Sequence, residues 1–161
     1  MIICVFNKLD LQLKKEDDYI PARIISKVLK SEDVFVSTVI DENFNDDQLN
    51  TAHLTFSHNG SKVYYTLCDY VQETKIRCDL FSRIVNEDGS FGDPVKLPDF
   101  INDATASNTQ PAIGFVRETK QEFLYFVSDS WSVPRNTKSG FNAFSLQTRT
   151  KHIVRIRIVF N

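Results

Sequence analysis

The stretch FNDDQLNTAHLTFS, residues 44–57, has a counterpart further along the chain in INDATASNTQPAIGF, residues 101–115. Each begins with an apolar residue followed by Asn-Asp, has Asn-Thr shortly afterwards, and then enters an apolar run. The pattern predicts that one structural unit occurs twice in the chain. This prediction determines the fold that we expect.

The correspondence continues through the apolar runs that follow each stretch. The matching positions are Phe44 with Ile101, Tyr64 with Tyr125, and Asp79–Ser82 with Asn142–Ser145, at offsets of 57, 61 and 63 residues. A weaker match, at Asp33–Ser37, precedes them. Periods of about 40–50 residues with four strands each are typical of propeller blades, and two long connections per unit account for the larger spacing here.

We therefore predict an all-β fold of β-propeller-like, antiparallel four-stranded blades. Residues 1–32 would form a partial blade or a capping segment, 33–100 and 101–150 two blade units, and 151–161 an atypical C-terminal strand. Closed propellers have about four to eight blades, so two full blades and a partial third leave the ring incomplete.

Three segments are harder to interpret from their patterns. KLDLQLKKEDDY (8–19) alternates and then becomes charged, which indicates a strand followed by a turn. IPARIISKVLKS (20–31) fits one apolar helical face with Pro21 in the first turn, but it fits a pair of strands equally well. DYVQETKIR (69–77) is mostly polar and is predicted as a long connection.

Length and composition exclude several classes of protein. A chain of 161 residues with 42% apolar and 25% charged residues is expected to be one globular domain. A net charge of −2 gives no reason to expect nucleic acid or an anionic membrane as partner. No apolar run approaches the length of about 18 residues that crosses a membrane, and MIICVF is too short for a signal-peptide core, so no signal peptide is visible.

Three segments together resemble the WD-like, TolB-like β-propeller repeat in order and spacing. They are LTFSHNGSKVYYT (54–66), CDLFSRIVNEDGSFGDPVKLPDFIN (78–102) and QPAIGFVRETKQEFLYFVSDS (110–130). The resemblance covers residues 33–145. Such repeats are common in envelope proteins of Bacteroidetes-type bacteria, often beside outer-membrane-protein-A-like domains, so it implies a periplasmic or outer-membrane-associated protein with a protein, glycan or cell-wall partner.

The chain departs from that family at several positions. Asn59 stands where the repeat usually has Asp, Phe91 where it has Trp, and Ser130 where it often has Arg. The family's motif residues are architectural, so no functional residue is carried over. An incomplete ring leaves three explanations: a piece of a larger propeller, which the loss of the pattern after Ser145 favours, self-association that completes the ring, or an open stack capped by its end segments.

Cys68 and Cys78 lie ten residues apart, at the end of one predicted strand and the start of the next. If these strands pair, the two side chains could form a disulfide, which requires an oxidising compartment such as the resemblance implies. Two half-buried free thiols are the alternative.

The expected function is a non-enzymatic scaffold or interaction module that binds protein or glycan through loops at one rim. Tyr70 in DYVQETKIR, and Trp131 and Arg135 in SDSWSVPRNTKSG (128–140), are the candidate contact residues. We predict no catalytic residue, metal site or cofactor, because no nucleophile triad, phosphate loop or metal-ligand spacing stands out. The alternative is the propeller portion of a glycosidase-like or peptidase-associated hydrolase.

Overall fold

The computed structural model describes residues 3–8, 23–31, 34–39, 44–72, 75–130, 144–147 and 152–158, with side chains over 44–71 and 75–130. Within these ranges the chain contains β-strands and no helix, so the predicted all-β class is confirmed. The strands are β1 (Ile3–Lys8), β2 (Arg23–Ser31), β3 (Val34–Val39), β4 (Asn50–Phe56), β5 (Lys62–Gln72), β6 (Lys75–Ile84), β7 (Val95–Lys96), β8 (Asn108–Val116), β9 (Gln121–Ser128), β10 (Phe144–Gln147) and β11 (His152–Ile158).

The strands form three antiparallel sheets. The first sheet has the order β1-β2-β3, the second β4-β5-β6-β7, and the third β8-β9-β11-β10. The second sheet is a simple meander in which each strand pairs with the next one along the chain. Strand β8 of the third sheet contacts β4, β5 and β6, so these two sheets pack on each other.

The helix considered for residues 20–31 is wrong, because Arg23–Ser31 forms one strand, β2. It pairs with β1 through Ile24 and Ile25 and with β3 through Val28 and Leu29. Partners on both sides satisfy its backbone along its length, and β-branched residues fit a pleated sheet well. The strand and turn predicted at 8–19 lie outside the described residues beyond Lys8.

The third sheet differs from the strand order that the matching of 142–145 with 79–82 implies. Strand β6, which contains 79–82, lies beside β5, whereas β10 lies at the edge of its sheet and β11 takes the place beside β9. Strand β11 offers seven consecutive pairs to β9, more than the four residues of β10 could provide. The longer ladder satisfies more backbone groups of the central strand.

The segment 69–77 is not a long connection. Strand β5 continues to Gln72 and β6 begins at Lys75, so only residues 73 and 74 separate the two. Asp69 lies opposite Arg77, a cross-strand pair of opposite charges of the kind that stabilises a ladder. The polar sequence therefore forms the outer end of a long hairpin.

Strand β5 is buried on both faces from Val63 to Cys68. On one face, Tyr64 and Leu80 of the second sheet pack with Leu124 and Phe126 of the third. On the other face Val63, Tyr65 and Leu67 pack with the fully buried Phe44. The second sheet is thus covered by side chains on both faces.

Residues 44–57 and 101–115 share a β-bulge at equivalent positions. In β4 the pairing shifts between Ala52 and Thr55 around His53, whose φ is 47°. In β8 it shifts between Thr109 and Ala112 around Gln110, whose φ is 56°. A single left-handed residue is the conformation of a β-bulge, which bends its strand locally. The two bulges are separated by the same 57 residues that separate Phe44 from Ile101.

Candidate functional site

The ends of several strands lie together at one end of the second and third sheets. The pairs Asn50–Cys68, Gln72–Lys75 and Asn108–Ser128 place the starts of β4, β6 and β8 and the ends of β5 and β9 at this end. We call this end the upper rim. The opposite end, with the turns at 57–61 and 117–120, is the lower rim.

The upper rim contains a groove of about 580 Å³ between the β5–β6 hairpin and the loop that precedes β8. Its lining residues are Val71, Lys75, Ile76 and Arg77 of the hairpin, Ala104, Thr105, Ala106 and Ser107 of the loop, and Asp129 after β9. We call it the rim groove. Its volume falls within the range of small-molecule sites.

A disulfide joins the two strands of the hairpin directly below the groove. Cys68 and Cys78 are register partners, their sulfurs form the bond, and their Cα atoms are 4.0 Å apart. Such a short separation is that of a directly opposed pair that is not hydrogen-bonded. The outer end of the hairpin is therefore held to the packed part of the sheet.

The loop wall of the groove is fixed against the outer edge of β6. The buried Asn102 side chain accepts a hydrogen bond from Leu80 N at 2.7 Å and donates to Leu80 O at 2.8 Å. It also donates to Leu97 O at 2.9 Å. The Asn102 side chain thus pairs with the N–H and C=O of Leu80 as the backbone of a neighbouring strand would, at a position that the short β7 does not reach.

Two further contacts hold the loop against β6 nearer the groove. Cys78 N donates to Ser107 Oγ at 3.3 Å. The Arg77 guanidinium donates to Ala104 O at 3.1 Å. These bonds link the two walls of the groove, so its width is set by protein contacts on both sides.

Asp129 lies at the far side of the groove and is engaged by backbone. Its Oδ1 accepts a hydrogen bond from Ser107 N at 2.6 Å, and its own N–H donates to Ser107 O at 3.2 Å. Nearby, Asp103 accepts from the hydroxyl of the buried Ser130 at 3.0 Å and from Thr105 N at 2.8 Å. Both carboxylates therefore stabilise the conformation of the loop that precedes β8.

The hairpin presents apolar side chains to solvent at this rim. Tyr70 is 46% exposed, Val71 40% and Ile76 43%, and Tyr70 lies opposite Ile76 on the same face of the sheet. A group of neighbouring exposed apolar residues beside a groove is typical of interaction sites.

A second group of polar side chains lies at the lower rim, between the second and third sheets. The buried Glu122 accepts a hydrogen bond from His58 N at 3.3 Å, and the His58 ring stacks on Phe115 at 3.7 Å between centroids. Burial raises the pKa of the Glu122 carboxyl above its ordinary value. The hydrogen bond from His58 N, and then the nearby charges of His58 and Lys62, only partly oppose this. Burial, and then the charge of Glu122, raise the pKa of Tyr64 to about 12.

Of the three contact residues predicted from the sequence, Tyr70 is the one that the structure describes. Tyr70 lies beside the rim groove, although it belongs to strand β5 and not to a loop as predicted. Trp131 and Arg135 lie outside the described residues. Trp131 follows Tyr70 by 61 residues, the offset that also relates Tyr64 to Tyr125.

Sequence reasoning missed Val71, Ile76 and Ser107 as lining residues. The two apolar residues in the otherwise polar segment 69–77 were the available signal. No pattern marks Ser107, because its place depends on the path of the loop along β6.

Among residues with described side chains, no three or more His, Cys, Asp or Glu residues come together closely enough to hold a metal ion. The described part of the chain also contains no helix long and apolar enough to span a membrane.

Comparison of the chain with protein-family models, with curated proteins and with solved structures finds no match.

Proposed function

We propose that this chain is a non-enzymatic binding module that recognises a protein or glycan ligand at the rim groove. The observation that carries the proposal is the exposed apolar hairpin end beside a preformed groove. Binding residues are commonly found at the ends of a rigid sheet scaffold, where connections vary without disturbing the core. Here the disulfide and the Asn102 contacts supply that rigidity.

We further propose that the second and third sheets are copies of one unit of β-propeller type. Equivalent bulges at His53 and Gln110, and equivalent buried positions at Phe44 and Ile101, support this. Face-to-face packing of the two sheets through β8 agrees with neighbouring blades. The chain would then be part of a larger propeller in a cell-envelope protein.

The Cys68–Cys78 disulfide supports an extracytoplasmic location, because protein disulfides persist in oxidising compartments. Chain-entropy arguments give a bridge over ten residues a stabilisation of about 2–3 kcal/mol. A dithiol reductant should therefore lower the midpoint of thermal unfolding of the wild type. It should leave a Cys68→Ala, Cys78→Ala variant unchanged, and an equal response of the two proteins would contradict a structural bridge.

The binding proposal is tested with the ¹⁵N-labelled full chain. It is titrated with a panel of synthetic peptides and with oligosaccharides, including peptidoglycan fragments, while amide chemical shifts are recorded. We expect shifts at Val71, Ile76 and Ser107, and their loss in the Val71→Ser, Ile76→Ser variant.

The matched control is Val116→Ser, which changes a comparably exposed apolar residue (38%) at the lower rim. Shifts confined to the lower rim, or turnover of a panel member by the chain, would contradict the proposal.

A further inference from the structure

We infer that the ligand of the rim groove is an extended protein segment that carries a carboxylate next to a bulky apolar side chain. The inference rests on the proposed function, because it names the class of partner for the same groove. Charge, apolar exposure and the direction of backbone groups each support one part of it.

The described lining residues carry more positive than negative charge. They include Lys75 and Arg77, and Asp129 is the single acidic residue among those that the structure describes. The Asp129 carboxylate accepts a short hydrogen bond from Ser107 N at 2.6 Å, which partly compensates its charge. The Arg77 guanidinium donates to Ala104 O, and Asp69 lies opposite Arg77 on β5, so we assign the carboxylate of the ligand to Lys75. A partner with a carboxylate complements this arrangement.

The apolar part of the ligand follows from the hairpin wall. Val71 and Ile76 line the groove and expose two-fifths of their surface each. Covering them removes apolar surface from water, which favours an aliphatic or aromatic side chain of the partner over a uniformly polar one. The hydroxyl groups of most sugars would cover Val71 and Ile76 less favourably than an apolar side chain does.

The backbone of β6 favours a peptide. The N–H groups of Leu80 and Cys78 both point away from β5 and towards the loop, where they bond to Asn102 and Ser107. Backbone groups alternate in direction along an antiparallel strand, so the N–H of Ile76 points to the same side. Ile76 lines the groove and its carbonyl accepts a hydrogen bond from the Ser107 hydroxyl at 3.5 Å. Its N–H is therefore the backbone group of this edge that we assign to a carbonyl of an extended partner chain.

The test uses the full chain and three synthetic peptides of about eight residues, which alternate Leu with Glu, Leu with Lys, or Leu with Ser. Binding is measured by biolayer interferometry on the wild type, and on Lys75→Glu and Ile76→Ser variants. The matched controls at the lower rim are Arg117→Glu and Val116→Ser. Unfolding curves of every variant show that the fold is retained.

We expect the Glu/Leu peptide to bind and the Lys/Leu peptide not to bind. Lys75→Glu should weaken binding of the Glu/Leu peptide about tenfold, and added salt should weaken it further. Ile76→Ser should weaken binding at all salt concentrations, and both controls should bind as the wild type does.

Equal binding of the three peptides, or unchanged binding by Lys75→Glu, overturns the inference. An oligosaccharide that binds at the groove when no peptide does also overturns it, but leaves the proposed function standing. If neither a peptide nor an oligosaccharide shifts the groove amides, both the inference and the proposed function fail.

Discussion

Gly114 in β8 occupies a position where a side chain has no room. A Cβ built there would lie 2.7 Å from Cε2 of Tyr125, which is closer than real Cβ contacts. Gly114 pairs with Phe123, and Tyr125 lies two residues further along β9 on the same face, so the ring leans across the glycine. An aromatic ring over a glycine on a neighbouring strand also shields that exposed backbone.

Replacing Gly114 with Ala is expected to lower the free energy of unfolding by about 1–3 kcal/mol, because the new methyl group displaces the Tyr125 ring or the strand. Urea denaturation measures the change. The control is Gly92→Ala, where the added Cβ would meet its nearest atom at an ordinary 3.7 Å. Equal losses in the two variants would show that the Tyr125 contact is not the cause.

Glu122 gives a pH dependence whose sign follows from its environment. Burial raises its pKa above 4.5 in the folded state, so the folded protein holds this proton more tightly than the unfolded chain does. The stability contributed by Glu122 is therefore fully present below pH 4.5, and is lost as the pH rises through the raised pKa. At neutral pH the buried charge destabilises the fold.

The variant Glu122→Gln should therefore be more stable than the wild type at pH 7, and the difference should shrink as the pH falls towards 4. Gln can still accept the hydrogen bond from His58 N, so the variant changes mainly the charge. Guanidinium denaturation at several pH values measures the difference. A constant difference across that range would contradict the role of the charge.

At the scale of elements, the loop from 97 to 107 takes the place of a longer outer strand. Strand β7 covers only Phe81 and Ser82 of β6. Beyond it, Asn102 and Ser107 supply side-chain partners to Leu80 and Cys78. A strand edge left bare would invite pairing with other chains, and this loop covers the edge at Cys78 and Leu80.

Asn102→Ala should lower the free energy of unfolding by about 1–3 kcal/mol, because the Leu80 N–H loses this partner while Leu80 O still accepts from Leu97 N. Hydrogen exchange at the Leu80 amide should become faster than in the wild type. The control, Asn86→Ala, removes an exposed side-chain hydrogen bond to Ser90 and should cost less than about 1 kcal/mol. Unchanged exchange at Leu80 would rule out the bridging role of Asn102.

At the scale of the whole molecule, the second sheet packs on the third sheet with one face and on Phe44 with the other. Leu80 is fully buried and packs with Leu124 and Phe126 of the third sheet. Arg83, on the opposite face, donates a hydrogen bond to the Tyr65 hydroxyl at 3.1 Å, and its guanidinium lies over the Phe44 ring at 5.2 Å. Loss of packing between the second and third sheets is therefore expected to destabilise both of them.

Leu80→Ala should lower the free energy of unfolding by about 2–5 kcal/mol through the cavity that it leaves. Hydrogen exchange should accelerate together in β5 and β9, because the cavity lies between their sheets. The control is Ile84→Ala on the same strand, where the side chain is 60% exposed and should contribute little. Faster exchange in β5 alone would show that the sheets unfold independently.

The alternating patterns of the sequence were enough to predict an all-β fold and most strands, because a period of two reports locally which face of a strand is buried. Similar side chains at 44–57 and 101–115 were also visible without a structure. The shared bulge conformation explains that similarity physically, since both stretches must turn the chain from a rim loop into the first strand of a sheet.

Pattern alone did not separate a helix from a strand at 20–31, where both periods fit the apolar residues. The match of 142–145 with 79–82 also implied a place beside β9 for 142–145, where the structure has β11. Strand neighbours are selected by hydrogen bonding between distant segments, and the residues of β10 carry no local signal of the competition with β11. The order of the third sheet is therefore a tertiary property.

The site shows the same division. The sequence indicated Tyr70 and the proximity of Cys68 to Cys78, since both follow from two strands pairing as a hairpin. It could not locate the rim groove, whose second wall comes from the loop near Ser107 and from Asp129.

The sequence by itself determined which segments become strands and which faces are apolar, because these depend on near neighbours in the chain. Only the tertiary structure decided which strand edges meet and where a groove remains between them, because those contacts join residues that the chain keeps far apart.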